Sequence, residues 1–352
     1  MPETAGLALD PRTVRPFLRR LFEGAGLCAE DAAVVSENLY EAEMRGVYSH
    51  GLSLAKDYVR RFASGGVNRA HRVRVIRETP ALTLVDGDFA PGAVAGRRAM
   101  ALCIAKAKQT GLAASAVYHG CHFGMAAFYS MMALGEDMIG VALCNSAVNT
   151  AVYGGAEAVM GSNPVSVAVP AGKRRPIVYD GGTSAATFNR ILFYHREGSP
   201  IPEGWALDMR GEPTVSASEA LSGTMLPFGG HKGSGVAVLV NILSAALSGA
   251  ELFAALGGQE QKTGGVGFYF SALDVRQIRD LAEFKESIDT MIDRFKASPK
   301  RPGVDEIYLP GELEFIRRER HERHGLPVKR SVFEELRETA EAAGVRFDLN
   351  EQ

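Results

Sequence analysis

The sequence predicts an α/β protein of the α+β type, in which helices at both chain ends flank a strand-rich middle. Apolar residues recur at helical spacing before residue 65 and after residue 275, and short apolar runs bounded by turn residues fill the segment between them. A chain of 352 residues is long enough to bury a sizeable core. We expect residues 1–75 and 275–352 to form one discontinuous helical domain beside a strand-rich domain of residues 76–274.

Three helices are predicted before residue 65. The first begins at Asp10-Pro11, because a carboxylate at the N-cap and a proline at the first helical position both favour a helix start. The second extends over about residues 29–46, and the third over about residues 52–63. Between these two lies the polar sequence RGVYSHG, residues 45–51.

The middle of the chain contains most of the predicted strands. Helices are expected at about residues 93–108 and 125–134, and the proline- and glycine-rich segment 199–213 is expected to be irregular. Short apolar runs bounded by turn residues are typical of strands. The predicted strands are residues 82–85, 112–118, 139–144, 165–169, 177–179 and 267–270.

The last part of the chain returns to helical spacing. Apolar residues within 278–292 form a helical stripe. A capping box from Ser331 to Glu334 is expected to open the final helix, and Gly344 to close it. The mixed-sign run 317–325 is interpreted as a solvated helix face.

The composition narrows the class of protein. A hydrophobic fraction of 46% with 23% charged residues is ordinary for a globular protein, and a net charge of -2 gives no reason to expect nucleic acid or an anionic membrane as a partner. The four cysteines stand singly, which argues against a disulfide framework and for a reducing compartment. The sequence shows no signal-peptide pattern and no apolar stretch of membrane-spanning length. We therefore expect a cytoplasmic enzyme.

A glycine-rich turn opens directly into an apolar run at residues 236–247, which we interpret as a buried helix. The turn contains four glycines and one basic pair, His231 and Lys232. Glycines allow a backbone to approach a ligand closely, and the first turn of a helix offers unpaired N–H groups to an anion. This favours a phosphate or carboxylate site at Lys232. A corner that only precedes a buried helix is equally compatible with these residues.

A second polar island contains Arg45, Ser49 and His50, with Tyr58 in the following helix. Histidine titrates near neutral pH, so His50 suits a proton donor or acceptor, and Ser49 is placed to orient the imidazole or a substrate oxygen. A surface histidine with a local hydrogen bond is the alternative. The pattern R-G-x-x-S-H-G between two helices favours the functional interpretation.

A third island, His119-Gly-Cys-His122, lies at the end of a predicted strand. His119, Cys121 and His122 are all possible zinc ligands, but no acidic or cysteine partner has ligand spacing, which argues against a metal site. His122 is better suited to donate a hydrogen bond at the mouth of a ligand cleft. A loop histidine without a role is as compatible with these residues.

Three loops at strand ends have the composition of ligand-binding loops, namely residues 161–164, 180–184 and 310–312. Asp180 suits a ribose hydroxyl or a nicotinamide amide, and Thr183 and Ser184 suit a phosphate, although such residues also serve ordinary turns. No G-x-G-x-x-G follows a predicted first strand, and GGHKGSG is not a Walker A loop. A bound dinucleotide would therefore not use the usual βαβ turn.

Taken in order, the motifs resemble the malate/L-lactate dehydrogenase family that lacks a Rossmann fold. The resemblance extends over nearly the whole chain through RGVYSHG, HFG, GSNP, the Asp180 segment, IPEGWALD, LPFGGHKGSG, LSGA and LPGE. The family includes L-sulfolactate dehydrogenase, ureidoglycolate dehydrogenase, 2,3-diketo-L-gulonate reductase and Δ1-piperideine-2-carboxylate/Δ1-pyrroline-2-carboxylate reductase. The resemblance implies a non-Rossmann NAD(P)-binding domain with a largely antiparallel sheet, a helical domain formed from both chain ends, and a homodimer.

The same resemblance implies reversible hydride transfer between NAD or NADP and a small 2-oxo or 2-hydroxy acid. His50 would be the catalytic acid or base, with Ser49 beside it and His122 as a second active-site histidine. The implied substrate-binding residues are Arg45, Lys56 and Tyr58. The implied cofactor-binding residues are Ser162, Asn163, Pro164, Val178, Tyr179, Asp180, Gly181, Gly182, Thr183, Ser184, His231, Lys232, Gly233, Gly311, Glu312 and Leu313. No metal is implied.

The sequence departs from the family pattern at three places. The family usually has an arginine four residues after the catalytic histidine, and this position is Leu54, which cannot grip a substrate carboxylate. The candidates to compensate are Lys56, Arg45 and Arg190. The usual D-M-A-T-S is D-G-G-T-S at residues 180–184, and the segment 187–195 differs as well.

Several functions are open at this point. Besides a 2-hydroxy acid dehydrogenase, the sequence is compatible with a cyclic imino acid reductase, because His50 can give a proton to an imine nitrogen as well as to an oxygen. A member that has lost catalysis and only binds a nucleotide is motivated by Leu54 and opposed by the presence of His50, His122 and Lys232. A metal hydrolase built on His119 and His122 is a further alternative. No motif distinguishes NAD from NADP.

Overall fold

The computed structural model describes residues 7–253 and 265–350. Its first part contains the three predicted helices, preceded by a short strand. Asp10 caps the first helix, because its carboxylate accepts the N–H of Arg12 at 2.9 Å. Two turns of 3₁₀ helix, Tyr48–His50 and Leu52–Leu54, precede the third helix. The bounds are β1 Leu7–Leu9, α1 Pro11–Gly24, α2 Ala29–Met44 and α3 Ala55–Ser64.

The remaining elements alternate through the middle of the chain and end in helices. The strands are β2 Arg74–Glu78, β3 Leu82–Asp86, β4 Leu112–Gly120, β5 Met138–Cys144, β6 Val165–Val169, β7 Ile177–Gly181, β8 Ala206–Leu207, β9 Pro213–Thr214, β10 Thr224–Met225, β11 Val266–Asp274 and β12 Leu326–Val328. The helices are α4 Gly92–Thr110, α5 Ala127–Ser130, α6 Phe188–Arg196, α7 Ala217–Ser222, α8 His231–Asn241, α9 Leu281–Lys296, α10 Glu312–His324 and α11 Arg330–Ala342. The sequence does not predict β1, β2, β8, β9, β10, β12, α6 or α7.

A sheet of seven strands lies in the middle of the molecule, in the order β2-β3-β4-β11-β5-β6-β7. The neighbours β3 and β4 are parallel, and the other five neighbouring pairs are antiparallel. The parallel pair requires a crossover, which α4 provides. The largely antiparallel sheet implied by the family resemblance is therefore confirmed.

Helix α4 packs against the sheet through small residues. Ala99, Cys103 and Ala107 are fully buried on this face. At Gly96, a Cβ would lie only 2.7 Å from Cε1 of Tyr129. The small side chains allow the helix to lie close to the aromatic residues of the sheet, such as Phe270, which is also fully buried.

The two ends of the chain are joined by an antiparallel pair of short strands. Leu7 of β1 pairs with Val328 of β12, and Leu9 pairs with Leu326. The apolar faces of α1, α2 and α3 share one core with residues of β12 and α11. This is the arrangement expected of a helical unit formed from both ends, whereas the predicted boundaries at residues 75 and 275 stay a prediction.

The apolar run that follows the glycine-rich turn was predicted to be a buried helix, and this prediction is wrong for the single chain. Helix α8 begins at His231, five residues before the apolar run, so the basic pair expected in the turn lies in its first turn; the helix continues as a π-helix over Ile242–Ala246. Its inward face consists of small residues, while Leu239 and Leu247 are 59% and 60% exposed. Together with its neighbours the outward face forms one apolar area, which we call the α8 apolar surface: Val238, Leu239, Ile242, Leu252 and Phe253.

The helical C-terminal part is confirmed, with two corrections. Ile278 precedes α9 and is 74% exposed, so it does not belong to the buried stripe. The final helix begins at Arg330, and its N-cap Lys329 makes no side-chain capping bond, so the capping box at Ser331 is wrong. The chain turns into the helix two residues earlier than the capping box requires. Helix α9 itself is tied to the turn between β6 and β7, where Asp289 accepts the backbone N–H of Gly172 at 3.0 Å.

Of the helices that the structure describes, none combines the length and the apolar character needed to cross a bilayer. All four cysteines are free thiols, as expected from their single placement.

Candidate active site

A cleft of about 1100 Å³ opens where the turn after α2 meets the ends of β4, β5 and β7. Its walls come from segments within residues 45–61, 122–131, 144–164, 178–189, 220–225 and 308–314. The predicted site residues that line it are Arg45, Ser49, His50, His122, Ser162, Pro164, Val178, Tyr179, Asp180, Gly181, Gly182, Gly311 and Leu313. The fold thus brings together polar islands that lie far apart in the sequence.

His50 lies in the 3₁₀ turn after α2 and faces the cleft. Its Nδ1 is 2.9 Å from Oγ of Ser49, so the neighbouring residue holds the imidazole as expected. Burial disfavours the charged imidazolium and lowers the pKa of His50 to about 4. His50 is therefore neutral at pH 7 and able to accept a proton.

A buried carboxyl group supports the turn that carries His50. Glu43, in the last turn of α2, accepts the backbone N–H of Leu52 at 2.8 Å. Burial raises the pKa of Glu43 to about 8. At Gly51 a Cβ would collide with the Glu43 carboxylate and would lie 3.1 Å from its Cα. The glycine after His50 is therefore required by the close approach of this carboxyl group.

His122 stands opposite His50 in the cleft. The two imidazole rings are nearly parallel, with their centroids 5.6 Å apart and an interplanar angle of 11°. The hydroxyl of Tyr58 lies 2.7 Å from Nδ1 of His122. Although the ring is accessible from the cleft, burial, together with smaller effects of the charges of His50 and Arg61, lowers the pKa of His122 to about 3. In each histidine Nδ1 has a protein partner and Nε2 has none among the described residues.

The loop H-F-G that carries His122 is held from the helical side. Asn38 of α2 donates a hydrogen bond to the carbonyl oxygen of Phe123 at 3.2 Å, and the hydroxyl of Tyr129 donates to the same oxygen. Gly124 has φ 77° and directly faces the Asn38 amide, where no Cβ would fit. These contacts join the loop of His122 to the helix that precedes His50.

Acidic residues line the cleft as well. Asp180, at the end of β7, accepts the backbone N–H of Ala127 at 2.9 Å. Burial raises the pKa of Asp180 to about 7, and the negative charge of Glu314 adds to this effect. A carboxyl group with this pKa can donate or accept a hydrogen bond near neutral pH.

The loop at residues 308–312 is attached to β7. Val178 donates its backbone N–H to the carbonyl oxygen of Pro310 at 3.0 Å. Gly311 has φ 83°, and a Cβ there would lie 2.7 Å from the carbonyl oxygen of Val178. Glu312 points away from the cleft, where its carboxylate binds Lys296 at 2.7 Å and the N–H of Leu309 at 3.1 Å. Glu312 thereby positions the loop without lining the cleft.

Several predicted cofactor ligands use their polar atoms inside the protein. Asn163 is buried, and its amide binds the N–H of Ser146 and the carbonyl oxygen of Ala237, each at 3.0 Å. Thr183 donates to the carbonyl oxygen of Ser162 at 2.9 Å, and Ser184 to that of Ala186 at 2.7 Å. These residues do not line the cleft, and their assignment to the cofactor stays a prediction.

The glycine-rich segment that leads into α8, whose first residues are His231 and Lys232, lies apart from the cleft walls. His231 and Lys232 are exposed, and the ring of His231 packs edge-on against Tyr153 at 5.8 Å. A Cβ at Gly233 would collide with the carbonyl oxygen of Phe228, so this glycine is needed for packing. Lys56 is exposed as well and does not line the cleft.

The sequence analysis missed several residues of the cleft. Asn145, Asn149 and Glu314 line it, and so does Arg61 of α3. The signal for Arg61 was its helical spacing, because it follows Tyr58 by three residues and shares its face of the helix. Leu54 does not line the cleft and packs against the core formed by the chain ends.

The two histidines of the H-G-C-H segment separate in the structure. His119 does not line the cleft. Its Nδ1 lies 3.0 Å from Oδ1 of Asp86, and its ring stacks on Phe89 with the centroids 4.7 Å apart. Within residues 7–253 and 265–350, no three histidine, cysteine or acidic side chains converge as metal ligands. The geometry therefore gives no support to a metal hydrolase.

Three comparisons with known proteins agree. The sequence profile of the malate/L-lactate dehydrogenase family matches residues 9–337. The malate dehydrogenase of Pyrococcus horikoshii is 39% identical over 337 residues, which are 94% of this chain and 93% of that protein. The structure of sulfolactate dehydrogenase from Methanocaldococcus jannaschii matches with a TM-score of 0.90 and 31% identity over 97% of this chain and 98% of that chain. The structure of Δ1-piperideine-2-carboxylate reductase from Pseudomonas syringae pv. tomato matches with a TM-score of 0.84 and 27% identity over 96% of this chain and 100% of that chain.

Proposed function

Because the chain belongs to the malate/L-lactate dehydrogenase family of NAD(P)-dependent dehydrogenases, we propose that it interconverts a small 2-hydroxy acid and its 2-oxo acid, with His50 as the proton acceptor and donor. The observation that supports this most directly is the pair of stacked imidazoles. His50 and His122 each have Nδ1 engaged by a protein hydroxyl, which leaves both Nε2 atoms for a substrate oxygen.

The cleft fits a dinucleotide together with a small substrate. Its volume of about 1100 Å³ lies just above the range of about 300–1,000 Å³ that is typical of pockets for drug-sized ligands. Backbone loops at strand ends line it, and a Cβ at Gly181, Gly182 or Gly311 would lie 3.1, 3.2 or 2.7 Å from a neighbouring protein atom. When bound, a nicotinamide supplies the hydride donor or acceptor of the reaction. We propose that the residues that hold it are Ser162, Pro164, Val178, Tyr179, Asp180, Gly181, Gly182, Gly311 and Leu313.

The proton follows a short path in this proposal. At neutral pH His50 is uncharged, and with its Nδ1–H donating to Ser49 the Nε2 lone pair accepts the hydroxyl proton of the 2-hydroxy acid. The alkoxide that forms as the proton leaves loses hydride from the same carbon and becomes the carbonyl. In the reverse direction the imidazolium of His50 returns the proton to the carbonyl oxygen.

His122 has a different role in this proposal. Burial raises the pKa of Tyr58, so its hydroxyl keeps its proton and can donate to Nδ1 of His122. His122, whose pKa is about 3, then stays neutral and carries a proton on Nε2. From Nε2, His122 donates a hydrogen bond to the reacting oxygen. This bond holds the oxygen between the Nε2 atoms of the two histidines.

Replacing each histidine in turn tests these roles. His50→Ala should lower kcat by about 10²–10⁴-fold, the usual size of a general acid or base contribution, with the cofactor Kd nearly unchanged. His122→Ala should raise KM together with a smaller loss in kcat. The matched control is His324→Ala, since His324 is exposed on α10. If His122→Ala causes the larger loss in kcat and His50→Ala a small one, the two roles are reversed.

The class of reaction is tested by titrating the wild-type protein with NADH and NADPH and then offering 2-oxo acids and cyclic imines. Tight binding of one cofactor with its oxidation by a 2-oxo acid is the expected result, and it also decides between NAD and NADP. Tight binding without turnover would favour a catalytically silent nucleotide-binding member. Absence of binding by either cofactor would refute the dehydrogenase proposal for this chain.

Reduction of a cyclic imino acid is the second candidate. It is supported by the likeness to the Pseudomonas reductase. The proton from His50 would go to the imine nitrogen while hydride goes to the carbon. Turnover of Δ1-piperideine-2-carboxylate with a kcat/KM above that of every 2-oxo acid in the panel would favour this candidate.

We further propose that the protein is a homodimer whose partner covers the α8 apolar surface. An apolar area of this kind, with Phe253 68% exposed, is costly to leave in water. Sedimentation velocity over a range of concentrations should give twice the mass of 37.7 kDa, and a monomer at micromolar concentration would contradict the proposal.

A further inference from the structure

The position of Arg61 is the feature that the family resemblance does not account for. Arg61 lies in the last turn of α3, three residues after Tyr58, and both residues face the cleft region around His122. Residues three apart on a helix are neighbours on one face. Leu54, which precedes the same helix, packs instead against the core of the chain ends. Arg61 therefore brings a positive charge to the cleft two helical turns after the position of Leu54, where the family pattern has its arginine.

Arg61 also differs from the other cations near the site. Within the described part of the chain its guanidinium makes no hydrogen bond or ion pair, although it lines the cleft. Arg45 lines the cleft too, but it is buried, binds Glu41 at 3.3 Å and lies over the ring of Phe315 at 4.8 Å. Arg190 lies over Trp205 at 5.1 Å and does not line the cleft.

The charge of Arg61 acts on the groups around the reacting position. It lowers the pKa of His122, and it opposes the rise that burial causes in the pKa of Tyr58 and of Cys121. The guanidinium therefore lies near the imidazole that we assign to the substrate oxygen. Asp180 and Glu314 also line the cleft, but their acidic side chains do not attract an anion.

We propose that Arg61 binds the carboxylate of the 2-oxo or 2-hydroxy acid, in the role that the resemblance assigns to the position of Leu54. This inference rests on the proposed function. A guanidinium without a protein partner can form two parallel hydrogen bonds with a carboxylate. No ion pair within the protein has to be broken before it does so. The carboxylate then lies on the Tyr58 side of His122, and the oxygen on the adjacent carbon lies between the two imidazoles.

The test measures the affinity of oxalate, a planar anion that resembles a 2-oxo acid, for the protein saturated with the reduced cofactor that binds. In calorimetry, Arg61→Met should raise the Kd of oxalate by about 10–150-fold, the range expected for losing hydrogen bonds to a charged group. Arg61→Lys should recover part of this loss, because an ammonium keeps the charge but not the two-pronged geometry. Turnover of a 2-oxo acid should show the same change in KM.

The matched control is Arg60→Met on the adjacent position of α3. Arg60 is exposed and pairs with Asp57 at 2.7 Å. Arg60→Met removes the same charge from the same helix, but Arg60 does not line the cleft. The Kd of oxalate in this variant should therefore stay within about twofold of wild type. Adding guanidinium ion to Arg61→Ala, against an equal concentration of sodium chloride, should restore part of the affinity, which a structural role of Arg61 would not do.

Three outcomes would overturn the inference: a Kd of oxalate in Arg61→Met within twofold of wild type, an equal loss in Arg60→Met, or no oxalate binding by the wild-type holoenzyme at millimolar concentration. Its failure is distinguishable from failure of the proposed function. If the wild-type chain binds cofactor and turns over normally, and the Kd of oxalate is unchanged in Arg61→Met, only the role of Arg61 is refuted. If neither NADH nor NADPH binds to the wild-type chain, the proposed function fails, and the role of Arg61 fails with it.

Discussion

Two loops of this chain are alike in sequence and differ in structure. The first, S-H-G at residues 49–51, and the second, G-H-K-G at residues 230–233, both place a histidine among glycines beside a helix. The first lies in the cleft with its imidazole held by Ser49 and its backbone held by Glu43. The second lies on the surface with its basic side chains exposed. The difference teaches that the surroundings of a histidine depend on residues such as Glu43, which lie outside the short motif.

The largest expected effect comes from adding one methyl group to the first loop. Gly51→Ala should lower kcat by about 10²-fold or more, because the new Cβ collides with the Glu43 carboxylate and displaces His50. The matched change is Gly235→Ala in α8, two residues after the second loop, where nothing lies within 4 Å of the new Cβ. It should leave kcat unchanged and stabilise the protein by about 0.5–1 kcal/mol, as alanine does in a helix interior.

Steady-state kinetics and thermal unfolding of both variants check this pair. An active Gly51→Ala would show that the turn yields without moving His50, and the comparison between the two loops would then lose its structural basis.

A smaller effect is expected from the carboxyl group behind the first loop. The pKa of Glu43 is raised from 4.5 to about 8, so its contribution to stability is fully present below pH 4.5 and is lost as the pH rises through 8. Glu43→Gln keeps the acceptor for Leu52 but cannot ionise. The free energy of unfolding of this variant relative to wild type should therefore increase by about 2 kcal/mol between pH 6 and 7.5, at about 1.4 kcal/mol per pH unit.

Denaturant unfolding at the two pH values measures this increase. His50 and His122 have lowered pKa values, so they destabilise the fold as the pH falls below 6.5. Their contributions to the free energy of unfolding are the same in both proteins and cancel in the difference. Parallel pH profiles of the two proteins would mean that Glu43 is ionised in the folded state at neutral pH.

The smallest expected effect belongs to the second loop. Lys232 is exposed and outside the cleft walls, so Lys232→Ala should raise the cofactor Kd by about fivefold or less, the size of a solvent-exposed charge interaction. Fluorescence titration with the reduced cofactor measures this, with Lys108→Ala on α4 as the control. An unchanged Kd would discard Lys232 as a cofactor ligand. An increase of about 50-fold or more would place it in direct contact with the cofactor and would remove the contrast between the loops.

Local patterns predicted much of the fold. Helices with a clear apolar stripe were found near their observed bounds, and β6 has the predicted bounds, Val165–Val169. The strands β8, β9 and β10 have two residues each, which is too short for any periodicity. The pairing of β1 with β12 depends on a contact between the two chain ends, for which neither strand carries a local signal.

The candidate site was predicted in part for a similar reason. His50, Ser49 and His122 stand in polar interruptions of apolar patterns, and these interruptions are visible in the sequence. Arg61 was not found, because a single arginine on an amphipathic helix is ordinary and only the fold turns its face toward His122. The burial of α8 was predicted wrongly, because an apolar run shows that a helix avoids water but not which molecule covers it.

The pairing of the first strand with one near the end of the chain has a consequence for biosynthesis. The helices α1, α2 and α3 leave the ribosome first, yet their shared core includes Leu326, Val328 and residues of α11, which leave last. Contacts of such long sequence separation slow folding, because the loop between them must be closed before they form. The strand-rich middle can complete its sheet while the N-terminal helices still wait for their partners. The helix that carries Tyr58 and Arg61 is thus among the last parts to reach its final packing, and the cleft becomes functional only when the whole chain has been made.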